Sequence, residues 1–139
     1  MDFLVKVHVN IYPTEDPEII KNALSKIFPE ITFNVSETEI VGESNDYHSL
    51  DKLRNKIHEQ RIIDSARLSI ISNSNDEIIK LIITKQHSIL GTIHFCDSDT
   101  EPPLGCIVIE IFTEKRDRFI DWFTPKTQDG RIIEEIDFE

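Results

Sequence analysis

The chain has 139 residues, a formal net charge of −11, 39% hydrophobic residues, four glycines and two cysteines. That length suits one domain with a real core, so few glycines exclude a phosphate cradle of the P-loop or dinucleotide kind, and two cysteines exclude a disulfide framework. The acidic balance opposes nonspecific attraction to a nucleic-acid backbone, where basic residues supply most of the affinity, but it leaves room for a local basic patch.

No apolar run reaches membrane-spanning length. Met1-Asp2-Phe3-Leu4 lacks the basic start of a signal peptide, so a cytoplasmic protein without a membrane partner is expected. Cys96 and Cys106 are then expected to stay reduced as small buried hydrophobes.

The first element is a strand. From Phe3 to Tyr12 the side chains alternate, with Phe3, Val5, Val7, Val9 and Ile11 on one face and Lys6, His8 and Asn10 on the other. Asp16 is a good N-cap, Pro17 suits a first helical position, and Pro29 ends the helix that buries Ile20, Ala23, Leu24, Ile27 and Phe28. Glu15 and Asp16 could do acid–base work as a carboxylate pair, but capping explains Asp16 completely. Two short strands follow, Ile31–Val35 and Glu39–Gly42, forming a hairpin around Ser36-Glu37.

Residues 49–72 hold the longest helical pattern and the densest positive charge. Leu50, Leu53 and Ile57 form one apolar stripe, and Ile63, Ala66 and Ile70 form another half a turn away. One straight helix cannot bury both, so the pattern predicts two helices or a sharp kink between Glu59 and Ile62. Arg54, His58 and Arg61 line up beside the first stripe as the candidate functional row. Asp64, three residues from both Arg61 and Arg67, either pairs with them within the helix or orients an arginine for phosphate.

The nearly continuous apolar run in 77–84 suits a central strand, with Ile89–Phe95 pairing to it antiparallel. An acidic loop spans Asp97–Pro103, and Cys106–Phe112 is a last strand with Ile107, Ile109 and Ile111 inward. Thr113 is expected to cap a helix carrying the aromatic stripe Phe119, Trp122 and Phe123. Asp121 sits near the end of that helix where the dipole disfavours a carboxylate, so a compensating partner such as Arg118, Lys126 or the Thr127 turn is expected. Trp122 should be partly buried. A turn signal at Thr127-Gln128-Asp129-Gly130 precedes an acidic tail whose Ile132, Ile133, Ile136 and Phe138 could dock or pair at an edge.

His94-x-Cys96, Cys106, His87 and His8 are metal-ligand types, but their spacing matches no standard zinc module. No nucleophile elbow, H-E-x-x-H or C-x-x-C occurs. No catalytic residue, metal or cofactor is assigned.

From Tyr12-Pro13-Thr14-Glu15-Asp16-Pro17 onward the sequence resembles an uncharacterised archaeal protein family, whose fold is similar to the large-subunit ribosomal protein that binds 5S ribosomal RNA. The resemblance continues through Leu50-x-x-Leu53-Arg54 and Arg61-Ile62-x-Asp64-x-Ala66-Arg67, then Lys85-Gln86, Gly91–Phe95, Pro103-Leu104-Gly105, and Ile120-Asp121-Trp122 with Pro125, Thr127 and Gly130. The chain departs from the family pattern at His87-Ser88 and at Cys106, which weakens the metal idea further. The resemblance implies a homodimeric α+β protein associated with RNA.

The expected architecture is a single α+β domain over residues 1–130 and an acidic C-terminal tail over 131–139. It has two layers, a mostly antiparallel sheet with the helices of 16–28, 49–72 and 114–124 on one face. The expected function is non-enzymatic binding of structured RNA or a ribonucleoprotein, with Lys52, Arg54, Lys56, Arg61 and Arg67, and Lys85 in addition, on the phosphates. The alternative is a homodimeric protein–protein interaction module using the aromatic stripe or an edge strand. A metal-dependent enzyme is the third reading.

Overall fold

Alternation in the first strand divides the molecule into its two layers. β1 (Phe3–Asn10) buries Phe3, Val5, Val7 and Val9 and leaves Lys6 and Asn10 exposed. The computed structural model describes residues 3–96, 105–128, 131–133, 135, 137 and 138. Asp16 caps α1 (Pro17–Ile27) by accepting from the Glu18 N–H, and the helix buries Ile20, Ala23, Leu24 and Ile27. β2 (Phe33–Val35) and β3 (Glu39–Ser44) form the expected hairpin. Gly42 is required there, because a Cβ would lie 2.7 Å from the Phe33 ring and 2.8 Å from the Ile31 side chain.

A 3₁₀ turn (Tyr47–Leu50) leads into α2 (Asp51–Glu59), and α3 (Ile63–Asn73) follows after a sharp break, as the two stripes predict. The chain continues through β4 (Ile79–Thr84), α4 (Lys85–Ile89), β5 (Cys106–Thr113), α5 (Arg116–Phe123), β6 (Thr127–Gln128) and β7 (Arg131–Ile132). The main sheet is antiparallel in the order β2-β3-β1-β5-β4, with Val7 opposite Gly42 on one side and Ile109 on the other. The inward residues of β1 and β5 share one apolar core with α1, α2, α3 and α5. The protein is α+β, and among the described residues no helix is long and apolar enough to cross a membrane.

Several expectations are corrected. The apolar run at 79–84 is an edge strand of the ladder, not a central one. Its apolarity has another cause: Ile82 joins Cys96 and Cys106 in a small cluster apart from the main core. Residues 89–95 do not form a strand, since Thr84 caps α4 by accepting from the His87 N–H and Gly91 turns the chain at φ 88°. Pairing to β4 is reduced to a single antiparallel bridge, Ile83 to Phe95, with the Thr84 N–H donating to the His94 carbonyl at 2.8 Å.

Thr113 does not cap α5. Its hydroxyl accepts from the Lys115 N–H at 3.1 Å, and the helix begins one residue after Lys115. Phe119, Trp122 and Phe123 are all buried, Trp122 at 7% exposure, so the aromatic stripe is core. Phe138 docks into it, 4.9 Å from the Tyr47 ring centroid and 5.6 Å from Phe119. The acidic loop expected at Asp97–Pro103 lies outside the described residues.

Candidate functional site

α2 ends in a motif that glycine ordinarily serves. Arg61 occupies the left-handed region at φ 59°. Its N–H donates to the His58 carbonyl and the Ile62 N–H donates to the Ile57 carbonyl, both at 3.2 Å. These are the two hydrogen bonds of a Schellman ending, with an arginine where a residue without Cβ is favoured. The conformation costs about 1 kcal/mol relative to glycine. The N-cap of α3, Ile62, supplies no side-chain hydrogen bond.

The break directs the basic residues to different places. Arg54 donates through Nε to the Trp122 carbonyl at 2.9 Å, with its guanidinium carbon 5.0 Å from the Trp122 ring centroid. His58 Nε2 lies 3.3 Å from the Phe123 carbonyl. Arg67 Nη1 donates to the Thr124 carbonyl at 2.8 Å, and its Nη2 lies 2.9 Å from Asp121. Three consecutive carbonyls at the end of α5 thus meet three basic side chains. Helix C-termini leave such carbonyls without helical partners and favour positive charge. Burial pushes the His58 pKa below its ordinary value, and the neighbouring Arg54 charge adds to this, while the Phe123 carbonyl and Glu135 oppose it.

Asp121 has the expected partner, but it is Arg67 rather than Arg118 or Lys126. Arg118 Nε instead donates to the Phe138 carbonyl at 2.8 Å and holds the docked tail. Asp64 accepts a hydrogen bond from the Thr127 hydroxyl, which ties α3 to β6.

Lys56 Nζ donates to the Gly91 carbonyl at 3.0 Å on another side of α2, and Lys52 is exposed. Lys85 is far from this group in role. It is buried at 1% exposure, 2.8 Å from Glu15, with 2.5 Å to the Asn10 carbonyl and 4.7 Å to the Tyr12 ring centroid. The motif segments Tyr12–Glu15 and Lys85-Gln86 therefore meet in one ion pair.

Arg61 is drawn into a cavity of about 490 Å³ between the α2–α3 break and the β6–β7 hairpin, lined by His58, Arg61, Ile63, Asp64, Thr127, Arg131 and Ile132. Arg131 is the residue that the sequence pattern misses, because it opens the stretch assigned to an acidic tail. The turn signal in the sequence at 127–130 is the clue, since β6 and β7 pair antiparallel with Arg131 opposite Gln128. The metal-ligand types do not assemble. The sulfurs of Cys96 and Cys106 lie 3.0 Å apart, the rings of His87 and His94 stack at 4.3 Å, and among the described residues no three such ligands could hold an ion.

A family model described as RNA binding matches residues 4–113. A UPF0201 protein of Metallosphaera sedula is 32% identical over 132 residues, covering 93% of this chain and 92% of that protein. A UPF0200/UPF0201 protein of Archaeoglobus fulgidus is 31% identical over 134 residues, and this chain spans only 41% of its length. The crystal structure of a UPF0201 protein from Methanococcus jannaschii has a TM-score of 0.79 at 25% identity, covering 94% of this chain and 99% of that one. A family model described as RNA binding that matches most of the chain, and identities above 30% across nearly whole relatives, establish that this chain belongs to that family and to the archaeal UPF0201 proteins.

Proposed function

We propose that this protein is a non-enzymatic binder of structured RNA or of a ribonucleoprotein. The RNA-binding family match over 4–113 carries the proposal. The basic side chains give it two cationic groups: Lys52 and Lys56, one turn apart on the side of α2 that faces Gly91, and Arg61, Lys126 and Arg131, exposed after the end of α2 and on the C-terminal segment. Arg54 and Arg67 serve by holding the end of α5, and Lys85 serves by fixing the Tyr12–Glu15 segment. The net charge of −11 repels RNA elsewhere, so binding is confined to RNA surfaces that match the patch. The finer form of the proposal is an RNA of the kind held by a 5S-rRNA-binding ribosomal protein. Filter binding to total cellular RNA tests it, with Lys52→Glu, Lys56→Glu and Arg61→Ala expected to weaken retention. Absence of retained RNA even at low salt overturns it.

A second reading, a homodimer, is favoured by Leu68, Ile71 and Ile133, which are 68%, 50% and 61% exposed. They line a groove of about 500 Å³ with Arg67 and Lys126. A contiguous apolar surface of this kind marks an interaction site. Light scattering on Leu68→Glu tests it: a dimeric parent and a monomeric variant are expected.

A further inference from the structure

We propose that the cavity between the α2–α3 break and the β6–β7 hairpin binds one phosphorylated nucleotide unit, its phosphate held by Arg61 and Arg131. Four of the chain's six arginines are engaged within the fold: Arg54 with Trp122, Arg67 with Thr124 and Asp121, Arg116 with Asn75 and Asp117, and Arg118 with Phe138. Among the described residues, Arg61 and Arg131 make no side-chain hydrogen bond or ion pair, and both line this one cavity. Arginine's planar fork matches a phosphate through paired hydrogen bonds.

The remaining wall selects more than bare phosphate. At about 490 Å³ the cavity is several times larger than that anion needs, and it falls within the range of roughly 300–1,000 Å³ seen for small-molecule sites. Ile63 and Ile132 give it an apolar side on which a base or sugar ring can rest. Asp64 is held by the Thr127 hydroxyl through Oδ1, and its second oxygen can accept from a sugar hydroxyl or a base amino group. Arg61 is also held in a left-handed conformation at φ 59° where glycine would be relaxed. Strain of that kind persists at ligand sites.

The nucleotide unit has two sources, a free mononucleotide or the phosphorylated end of an RNA strand, and the second rests on the RNA reading above. Calorimetric titration of the full chain separates them. The probes are AMP, adenosine, inorganic phosphate, and a short oligoribonucleotide with and without its 5′-phosphate. AMP is expected to bind at least about tenfold more tightly than adenosine or phosphate, and Arg61→Gly and Arg131→Gln each to weaken it about tenfold. Arg61→Gly suits the backbone and Arg131→Gln keeps a polar surface side chain, and an unchanged melting temperature for Arg131→Gln shows that the loss is not unfolding. An oligonucleotide that binds better than AMP only when 5′-phosphorylated identifies the RNA end; equal binding of AMP identifies the free nucleotide. AMP binding without any RNA binding upholds this inference and defeats the RNA reading. RNA binding unaffected by both arginine substitutions, with no AMP binding, overturns this inference and leaves RNA binding itself standing on the lysines, without Arg61 and Arg131. Inorganic phosphate binding as well as AMP does overturns the nucleotide class.

Discussion

Lys85 illustrates how a cation that looks like a surface contact in the sequence acts once folded. Its ammonium is enclosed with Glu15 at 2.8 Å, and breaking one side of a buried pair leaves an uncompensated charge, which costs about 3–5 kcal/mol. Lys85→Met is therefore expected to lower the denaturation midpoint sharply. The double variant Lys85→Met with Glu15→Gln should recover part of that loss, because no lone charge remains. Additive losses in this cycle, measured by chemical denaturation, would show that the pair is not coupled. His58 makes a second prediction at the same scale. Its pKa is lowered in the fold from an ordinary 6.5, so the unfolded chain binds the proton more readily. The stability that His58 contributes is thus complete above the ordinary value and is lost as pH falls through the lowered one. Melting temperatures between neutral and mildly acidic pH should fall more steeply for the parent than for His58→Gln, and parallel curves would exclude the effect.

At the scale of elements, the end of α5 is the point where two other helices converge. Arg54 and His58 come from α2 and Arg67 from α3, and each meets a carbonyl between Trp122 and Thr124. The break at Arg61 lets two helices approach one helix terminus from different directions. Removing a hydrogen bond to a charged donor costs about 2 kcal/mol. Arg67→Met is expected to lose about that much stability, and Asp121→Asn less, because Arg67 keeps its bond to Thr124. Calorimetric unfolding decides the order: an Asp121→Asn loss greater than that of Arg67→Met would assign Asp121 a role beyond pairing.

For the whole molecule, charge segregation governs how RNA binding should respond to salt. Few cations are proposed to meet RNA, namely Lys52, Lys56, Arg61, Lys126 and Arg131, against a net charge of −11. About five phosphate contacts give a slope for log affinity against log salt of about −4.5 on a double-helical segment of structured RNA and about −3.5 on a single-stranded one. Filter binding across salt concentrations measures it. A slope much steeper than this would require cations beyond these.

The fold was legible where a local pattern has one physical meaning. Period-two alternation in Phe3–Tyr12 specified β1 and its buried face, Asp16-Pro17 specified the start of α1, and two stripes out of phase specified the break between α2 and α3. The misreadings share a cause. A strand's place in a sheet depends on its neighbours, so the apolar run of β4 read as central although Cys96, Cys106 and the Phe95 bridge cover it at an edge. A basic side chain has the same local signature whether it faces solvent or a carbonyl far along the chain. Only tertiary structure separated Arg54 and Arg67, bound to α5, and Lys85, buried with Glu15, from Arg61, which lines the cavity. Arg131 reaches the same cavity through the hairpin, across a separation of 70 residues that no local period can encode.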